Sequence, residues 1–302
     1  MCGCTADACT GAGKMGRKGI KILIASVFIL AGGGLMLYPF AANYVFEHRQ
    51  ASLIRTYENV VGETKEERVA ALLAEANEYN ESLLRGNVRL HDPFTEEVGG
   101  YDEEDYFSLL DVDGTGVMGY VSVPCIEVFL PVYHGTSEMA LKNGIGHLEG
   151  TSLPVGGSGT HAVLTGHTGL SDSKLFTDLI LLEEGDLFFV TVLGETLAYE
   201  VDQILVVEPD DTTALGIMKG EDYCTLLTCT PYGINSQRLL VRGKRTEYEA
   251  AIKEAAAAES RIKAGESEWM LQYRRSLMIA FILIASAVLE MRFFRKKRTV
   301  LS

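Results

Sequence analysis

A cysteine does nucleophilic chemistry only as its thiolate, and a nearby guanidinium both favours that anion and can hydrogen-bond an oxyanion on a reacting carbonyl. Cys229 and Arg238 are the residues that invite this reading, because the stretch between them, TPYGINSQ, is short and rich in turn formers. Tyr223–Cys229 is apolar and β-branched, and Arg238–Val241 is a second strand-like run. The layout leaves both side chains near one rim and proposes acyl transfer through a thioester. The same two residues would also fit a small buried hydrophobe beside a surface charge.

Activating Cys229 needs a proton acceptor, and histidine is the usual one. Of the six histidines, His48 and His91 precede the strand-rich part of the chain, leaving His134, His147, His161 and His167. His161 and His167 lie on one predicted strand and, if it runs straight, stand about 20 Å apart, so only one of them can reach the cysteine. His167 sits in TGHTG, where the strand ends between glycines, and His161 begins that strand at the opposite rim. No His-x-His or His-x-x-x-His pair supports a metal site, and no cofactor or metal is expected. Cys224 and Cys229 fall on opposite faces of one strand about 16 Å apart, beyond disulfide reach. The N-terminal CGCTADAC lacks a second ligand cluster and reads as a tail.

The elements that must position these groups are mainly strands. Candidate strands are Val117–Val123, Glu127–Val132, His161–Thr165, Asp186–Val192, Glu195–Val206, Tyr223–Cys229 and Arg238–Arg242, with short helices at Ser137–Gly144 and Ser173–Leu182. Strand after strand with few helices means a β-barrel or sandwich. LFFVTVLGETLAYEV is the clearest hairpin. Ahead of the strands, Glu47–Leu84 reads as one amphipathic helix, with Val69, Leu72, Leu73 and Ala76 at helical spacing. Asn87–Gly100 reads as a loop.

The chain of 302 residues has room for one sizeable core plus accessory segments. Ile22–Ala42 carries no charge and is long enough to cross a bilayer core of about 30 Å, behind Lys14, Arg17, Lys18 and Lys21. Leu277–Leu289 is a shorter apolar run flanked by arginines and lysines, read as a second span. The expectation is a two-pass protein of the cell membrane with both termini cytoplasmic and the middle outside. A net charge of −14, with basic residues concentrated at the two ends, offers no stripe for nucleic acid, which is rejected as a partner.

The stretch TLLTCTPYGINSQRLLVRG closely resembles the active-site segment of class C, or pilin-polymerising, sortases, which typically reads TLxTCTPYGINTHRLLVRG. Ser236 and Gln237 depart from it. The resemblance extends over roughly Asp92 to Arg245 and implies an eight-stranded sortase-type β-barrel with short helices, an N-terminal helical segment and a lid. It places the family's catalytic cysteine, arginine and histidine on Cys229, Arg238 and His167, the last within VLTGHTGLSDSKLFTDL, where Thr168, Ser171 and Asp172 depart from the family's wording. Asp92, Pro93 and Phe94 resemble the family's lid motif, with the carboxylate toward the arginine and the ring over the cysteine; His134 and His147 take structural roles.

These readings divide the chain into a cytoplasmic tail (1–19), a transmembrane helix (20–46), an extracellular helical segment (47–86), a lid loop (87–104), the catalytic barrel (105–246), a helical linker (247–272), a second transmembrane helix (273–291) and a basic tail (292–302). The implied function is cleavage of an LPxTG-like sorting signal through a thioacyl enzyme, then transfer to a lysine amine of a pilin subunit. Alternatives are anchoring of surface proteins to cell-wall peptide amines, a thiol hydrolase, or a membrane-tethered β-domain without catalysis. A papain-type protease is disfavoured, because there the cysteine precedes the histidine.

Overall fold

The computed structural model of the chain describes residues 17–86, 90–94, 103–170 and 173–252, together with 274–275, 277–279 and 282. Eight strands close into a barrel: β1 (Val117–Val123), β2 (Val128–His134), β3 (Ile145–His147), β4 (Thr160–Thr165), β5 (Leu187–Val192), β6 (Glu195–Val207), β7 (Asp222–Thr230) and β8 (Gln237–Thr246). Their order around the barrel is β1-β2-β3-β4-β7-β8-β6-β5. Most pairs are antiparallel, and β2–β3 and β4–β7 are parallel. Among the described residues the closed ladder leaves no strand at an edge.

Alternation along the strands sorts side chains to two faces. Ala162 and Leu164 of β4, Cys224 and Leu226 of β7, and Leu239 and Val241 of β8 join Phe188, Val190 and Tyr199 in the main core. The opposite face carries a smaller cluster of Leu148, Val163, Leu215, Leu227 and Leu240. This outer cluster decides where the site lies, since Val163, Leu227 and Leu240 occupy the rows that lead to His167, Cys229 and Arg238.

The seven predicted strands are all present with ends shifted by a few residues, and β3 is an addition. Three residues long and buried throughout, it has no room to show an alternation. The β5–β6 hairpin turns at Leu193 and Gly194, both with positive φ (50° and 83°), which suits the twist of a tight hairpin. Helix α4 (Glu138–Asn143) is capped by the Ser137 side chain, and a 3₁₀ turn covers Thr177–Leu181.

The single amphipathic helix expected over 47–84 is two helices, α1 (Arg17–Glu63) and α2 (Glu66–Leu83). The ladder ends where Thr64 turns its hydroxyl and N–H back onto Val60 and Val61 and Lys65 becomes extended. Ile54 and Tyr57 of α1 are buried, and the Tyr57 hydroxyl donates to Met118 O at 3.0 Å. From α2, Leu72, Ala76 and Asn80 face inward, and the Asn80 amide accepts from Leu153 N (2.7 Å) and donates to Leu153 O (3.1 Å). Helix α3 (Glu103–Ser108) brings in Tyr106, whose hydroxyl lies 2.8 Å from His147 Nδ1.

The expected membrane topology is corrected. Among the described residues no helix is long and apolar enough to cross a membrane, so the two-pass localisation with cytoplasmic ends and an external catalytic domain does not stand. The apolar run from Ile22 is the first part of α1, which continues through Glu47, Arg49, Arg55 and Glu58 and lays its far half on the barrel. Most of Leu277–Leu289, the linker beyond Ile252, residues 1–16 of the first tail and all of the second lie outside the described residues.

Candidate active site

Cys229 is the penultimate residue of β7, and Arg238 is directly opposite it near the start of β8. The turn between them contains a left-handed Asn235 (φ 59°) and Gly233 (φ 73°), which brings the strands back in register. On the other side of β7 runs β4, parallel, with Thr165 opposite Leu227. Two steps beyond that pair are His167 and Cys229, so both leave the sheet at one rim. The junction is pinned by Gly166 N–H donating to Leu227 O at 3.0 Å and by the Thr228 hydroxyl donating to Gly166 O at 2.7 Å.

His167 is also held from behind. Its carbonyl accepts from Phe176 N–H at 3.1 Å, and the Phe176 ring packs so close to Gly166 that a Cβ there would lie 2.7 Å from a ring carbon. Glycine at 166 is therefore a packing requirement as well as a strand end. His161, at the other end of β4, is buried with its nitrogens against Gly216 O (3.0 Å) and Thr225 Oγ1 (2.7 Å). His134 faces the carbonyls of Gly116 and Leu109, and His147 faces the Tyr106 hydroxyl and Ser152 O. These three are built into the scaffold, and of the four histidines in the strand-rich part His167 is the one that shares the rim with the cysteine.

The segment at 90–94 lies across this rim. Asp92 meets Arg238 in a two-pronged ion pair, Nε to Oδ1 at 2.7 Å and Nη2 to Oδ2 at 2.6 Å, with both side chains buried. Arg238 Nη1 donates to Asn235 O and Gln237 O, each at 3.0 Å. Most of the guanidinium's donors are thus committed. The Phe94 ring is 5.3 Å from the His167 ring and 5.1 Å from the Arg238 guanidinium carbon. Leu90 and Phe94 both pack on the outer apolar cluster.

The electrostatics follow from this cover. Burial pushes the Cys229 thiol up to about 11; Arg238 pulls it down, and Asp92 pushes it up again. Burial likewise lowers the His167 value below that of a free imidazole, with Glu138 opposing. Burial thus disfavours both the thiolate of Cys229 and the imidazolium of His167. While Asp92 and the two carbonyls hold the guanidinium, most of its donors are engaged within the protein.

A family model described as the sortase domain matches residues 121–246. Sortase C-1 from Actinomyces oris is 47% identical, and the match covers 60% of this chain and 99% of that one with a TM-score of 0.57. The chain belongs to the sortase family. Sortase C1 of Streptococcus agalactiae is also similar, at 43% identity over 66% of this chain and 96% of that chain, with a TM-score of 0.60. The curated Sortase A of Bacillus anthracis is 26% identical over 76% of this chain and 96% of its own length. This sortase is thus a cysteine transpeptidase whose structural neighbours are class C enzymes, several of them pilus-related.

Two supports of the site, Thr228 and Phe176, go unmarked in the sequence, and Gln237 stands out there only as a departure from the sortase wording. Thr228 was hidden as one more β-branched strand residue, although a threonine on the barrel-core face next to the cysteine is a usable signal. Phe176 carries no local signal, because only the fold brings it under Gly166. Gln237, one of the departures from the usual wording, turns away from Arg238: its amide donates to Glu208 at 3.0 Å, and only its backbone carbonyl serves the arginine. Ser171 and Asp172 lie outside the described residues, and Thr168 is buried beside His167. Among the described residues no group of three or more His, Cys, Asp and Glu side chains could hold a metal ion.

Proposed function

We propose that this sortase cleaves an LPxTG-like sorting signal through a thioacyl enzyme and joins pilin subunits by transferring the acyl group to a lysine amine. The observation that carries the reading is the convergence of Cys229, His167 and Arg238 from three neighbouring strands on one rim, beneath Asp92 and Phe94. Resemblance to Streptococcus pneumoniae sortase C, described in terms of pilin substrate specificity and 44% identical over 97% of that chain, favours a pilin as substrate.

In this scheme the 90–94 segment swings away and Arg238 loses its carboxylate partner. Cys229 Sγ, its proton passed to His167, attacks the carbonyl carbon of the Thr-Gly-type bond. The oxyanion forms against the Arg238 guanidinium. The C–N bond breaks as His167 returns the proton to the departing amine, leaving a thioester on Cys229. A neutral lysine amine then attacks that thioester, His167 takes its proton, and the cysteine leaves to give an isopeptide bond.

The test is mass spectrometry of the full chain after incubation with an LPxTG-type peptide, in wild type, Cys229→Ala and Asp92→Ala. A hydroxylamine-labile adduct of the peptide's N-terminal part, absent in Cys229→Ala and more abundant in Asp92→Ala, is the expected result. Silence in both wild type and Asp92→Ala overturns the substrate class. Adding a lysine-bearing pilin or a cell-wall peptide to the adduct then identifies the acceptor.

A further inference from the structure

The outward row of β4 runs Val163, Thr165, His167, and its middle member is anomalous. Thr165 is fully buried, yet its hydroxyl has no hydrogen-bond partner among the described residues. Other buried threonines nearby are satisfied: Thr151 donates to Leu148 O, Thr160 to Gly157 O, Thr228 to Gly166 O, and Thr225 is bonded to His161. A valine would fill the same volume without stranding a polar atom, so the hydroxyl needs an explanation other than packing.

Its position supplies one. Val163, on one side, belongs to the outer apolar cluster that Leu90 and Phe94 cover, and His167, on the other, lies against the Phe94 ring. Across the β4–β7 pairing stands Leu227, in the row that ends at Cys229. On the β3 side the paired residue is Gly146, which brings no side chain. Thr165 is thus a polar member of a row that begins in the apolar floor and ends at His167, and among the described residues none bonds its hydroxyl.

We propose that the Thr165 hydroxyl binds the backbone of the donor peptide when the 90–94 segment is displaced, fixing the second residue from the scissile bond along the β4 row. The inference rests on the donor-peptide reading above. An extended peptide presents a backbone N–H or C=O about every 3.3 Å, and Thr165 is about 7 Å along the strand from His167. A carbonyl held at Cys229 therefore brings a backbone polar group about two residues along the peptide to the hydroxyl, which can donate or accept. The ligand is an extended peptide, recognised through its main chain, so this contact adds affinity and register for any sorting signal and selects little by side chain.

The experiment compares full-length Asp92→Ala with Asp92→Ala/Thr165→Val and Asp92→Ala/Thr165→Ser. Each is scored for thioacyl formation with an LPxTG-type peptide, for alkylation of Cys229 by iodoacetamide, and for thermal stability. The expected pattern is a roughly tenfold slower acylation in the valine variant, the size of one lost neutral hydrogen bond. Alkylation stays unchanged, melting temperature is equal or higher, and serine restores most of the acylation rate. Acylation of the valine variant at the parent rate overturns the inference and leaves the donor-peptide reading standing. An equal fall in alkylation and acylation also overturns it, since the hydroxyl would then act on the thiol. If the parent acquires no peptide at all, the donor-peptide reading falls and this inference with it.

Discussion

Asp92 and Arg238, far apart in the chain, meet edge to edge through hydrogen bonds of 2.7 and 2.6 Å in a buried ion pair. The contact does two things at once. It spends the guanidinium's best donors on a carboxylate, and it places a negative group where it raises the Cys229 thiol. Breaking a buried pair by removing one partner is normally costly, because it leaves a charge alone in low dielectric. Here the guanidinium left behind already acts on the Cys229 thiol and favours its anion.

Asp92→Ala is therefore expected to accelerate alkylation of Cys229 by about tenfold or more at pH 8 and to shift its pH–rate profile downward. The sign follows from the causes: Asp92 raises the thiol and Arg238 lowers it, so deleting the former unmasks the latter. Stopped-flow alkylation from pH 6 to 10 measures this. An unchanged midpoint would mean that burial by Phe94 and Leu90, rather than charge, protects the sulfur.

Phe94→Ala separates those two effects. It opens the cover over the His167 ring while leaving the Asp92–Arg238 pair in place. Alkylation should then speed up severalfold at every pH, with a smaller downward shift of the profile than Asp92→Ala produces. A shift as large as that of the aspartate variant would show that the ring supports the ion pair.

His147 gives the barrel an acid limit. Burial lowers it from 6.5 to about 4, so the folded protein resists protonating it more than the unfolded chain does. A group depressed in this way contributes stability that is complete above pH 6.5 and is lost as pH falls toward 4. The full linkage is on the order of 3 kcal/mol. Urea titrations at pH 7, 5.5 and 4.5 should show the loss. His147→Gln, less stable at pH 7 through its lost bonds to Tyr106 and Ser152, should show a flatter decline.

Gly166→Ala should destabilise the barrel by about 1 to 3 kcal/mol, since the new methyl meets the Phe176 ring at 2.7 Å. The ring or the strand must move, and the strand carries His167 immediately after the glycine. The expected signature is a loss of transpeptidation larger than the loss of stability at room temperature, with alkylation of Cys229 preserved. A variant that is merely less stable, with wild-type turnover below its melting point, would show that the strand end does not set the histidine.

How much was legible in the residues depended on how local the signal was. Long strands with clear alternation, such as β6, declared themselves, as did the hairpin with its Leu-Gly turn. The rim position of His167 was readable because glycines and a strand end mark it locally. β3 was invisible, since three residues cannot display a period, and its partners come from both sides of the chain. The break between α1 and α2 depends on a single threonine and an extended lysine inside an otherwise helical composition. The first apolar run of α1 satisfied a length and charge rule for spanning a bilayer, but that rule cannot register that the same helix continues into polar turns packed on the barrel. The Asp92–Arg238 contact lay in the family resemblance and not in spacing, because nothing in DPF says where a loop will land.

The parallel pairing of β4 with β7 joins segments that are far apart in the chain, with a complete hairpin between them. Such pairings bear their loop-closure entropy before any contact compensates it, so they form late in folding. A chain in which this pairing has not formed carries its cysteine and histidine on separate segments. Acyl transfer should appear only once the barrel has shut, which makes enzymatic competence a built-in report on completed folding.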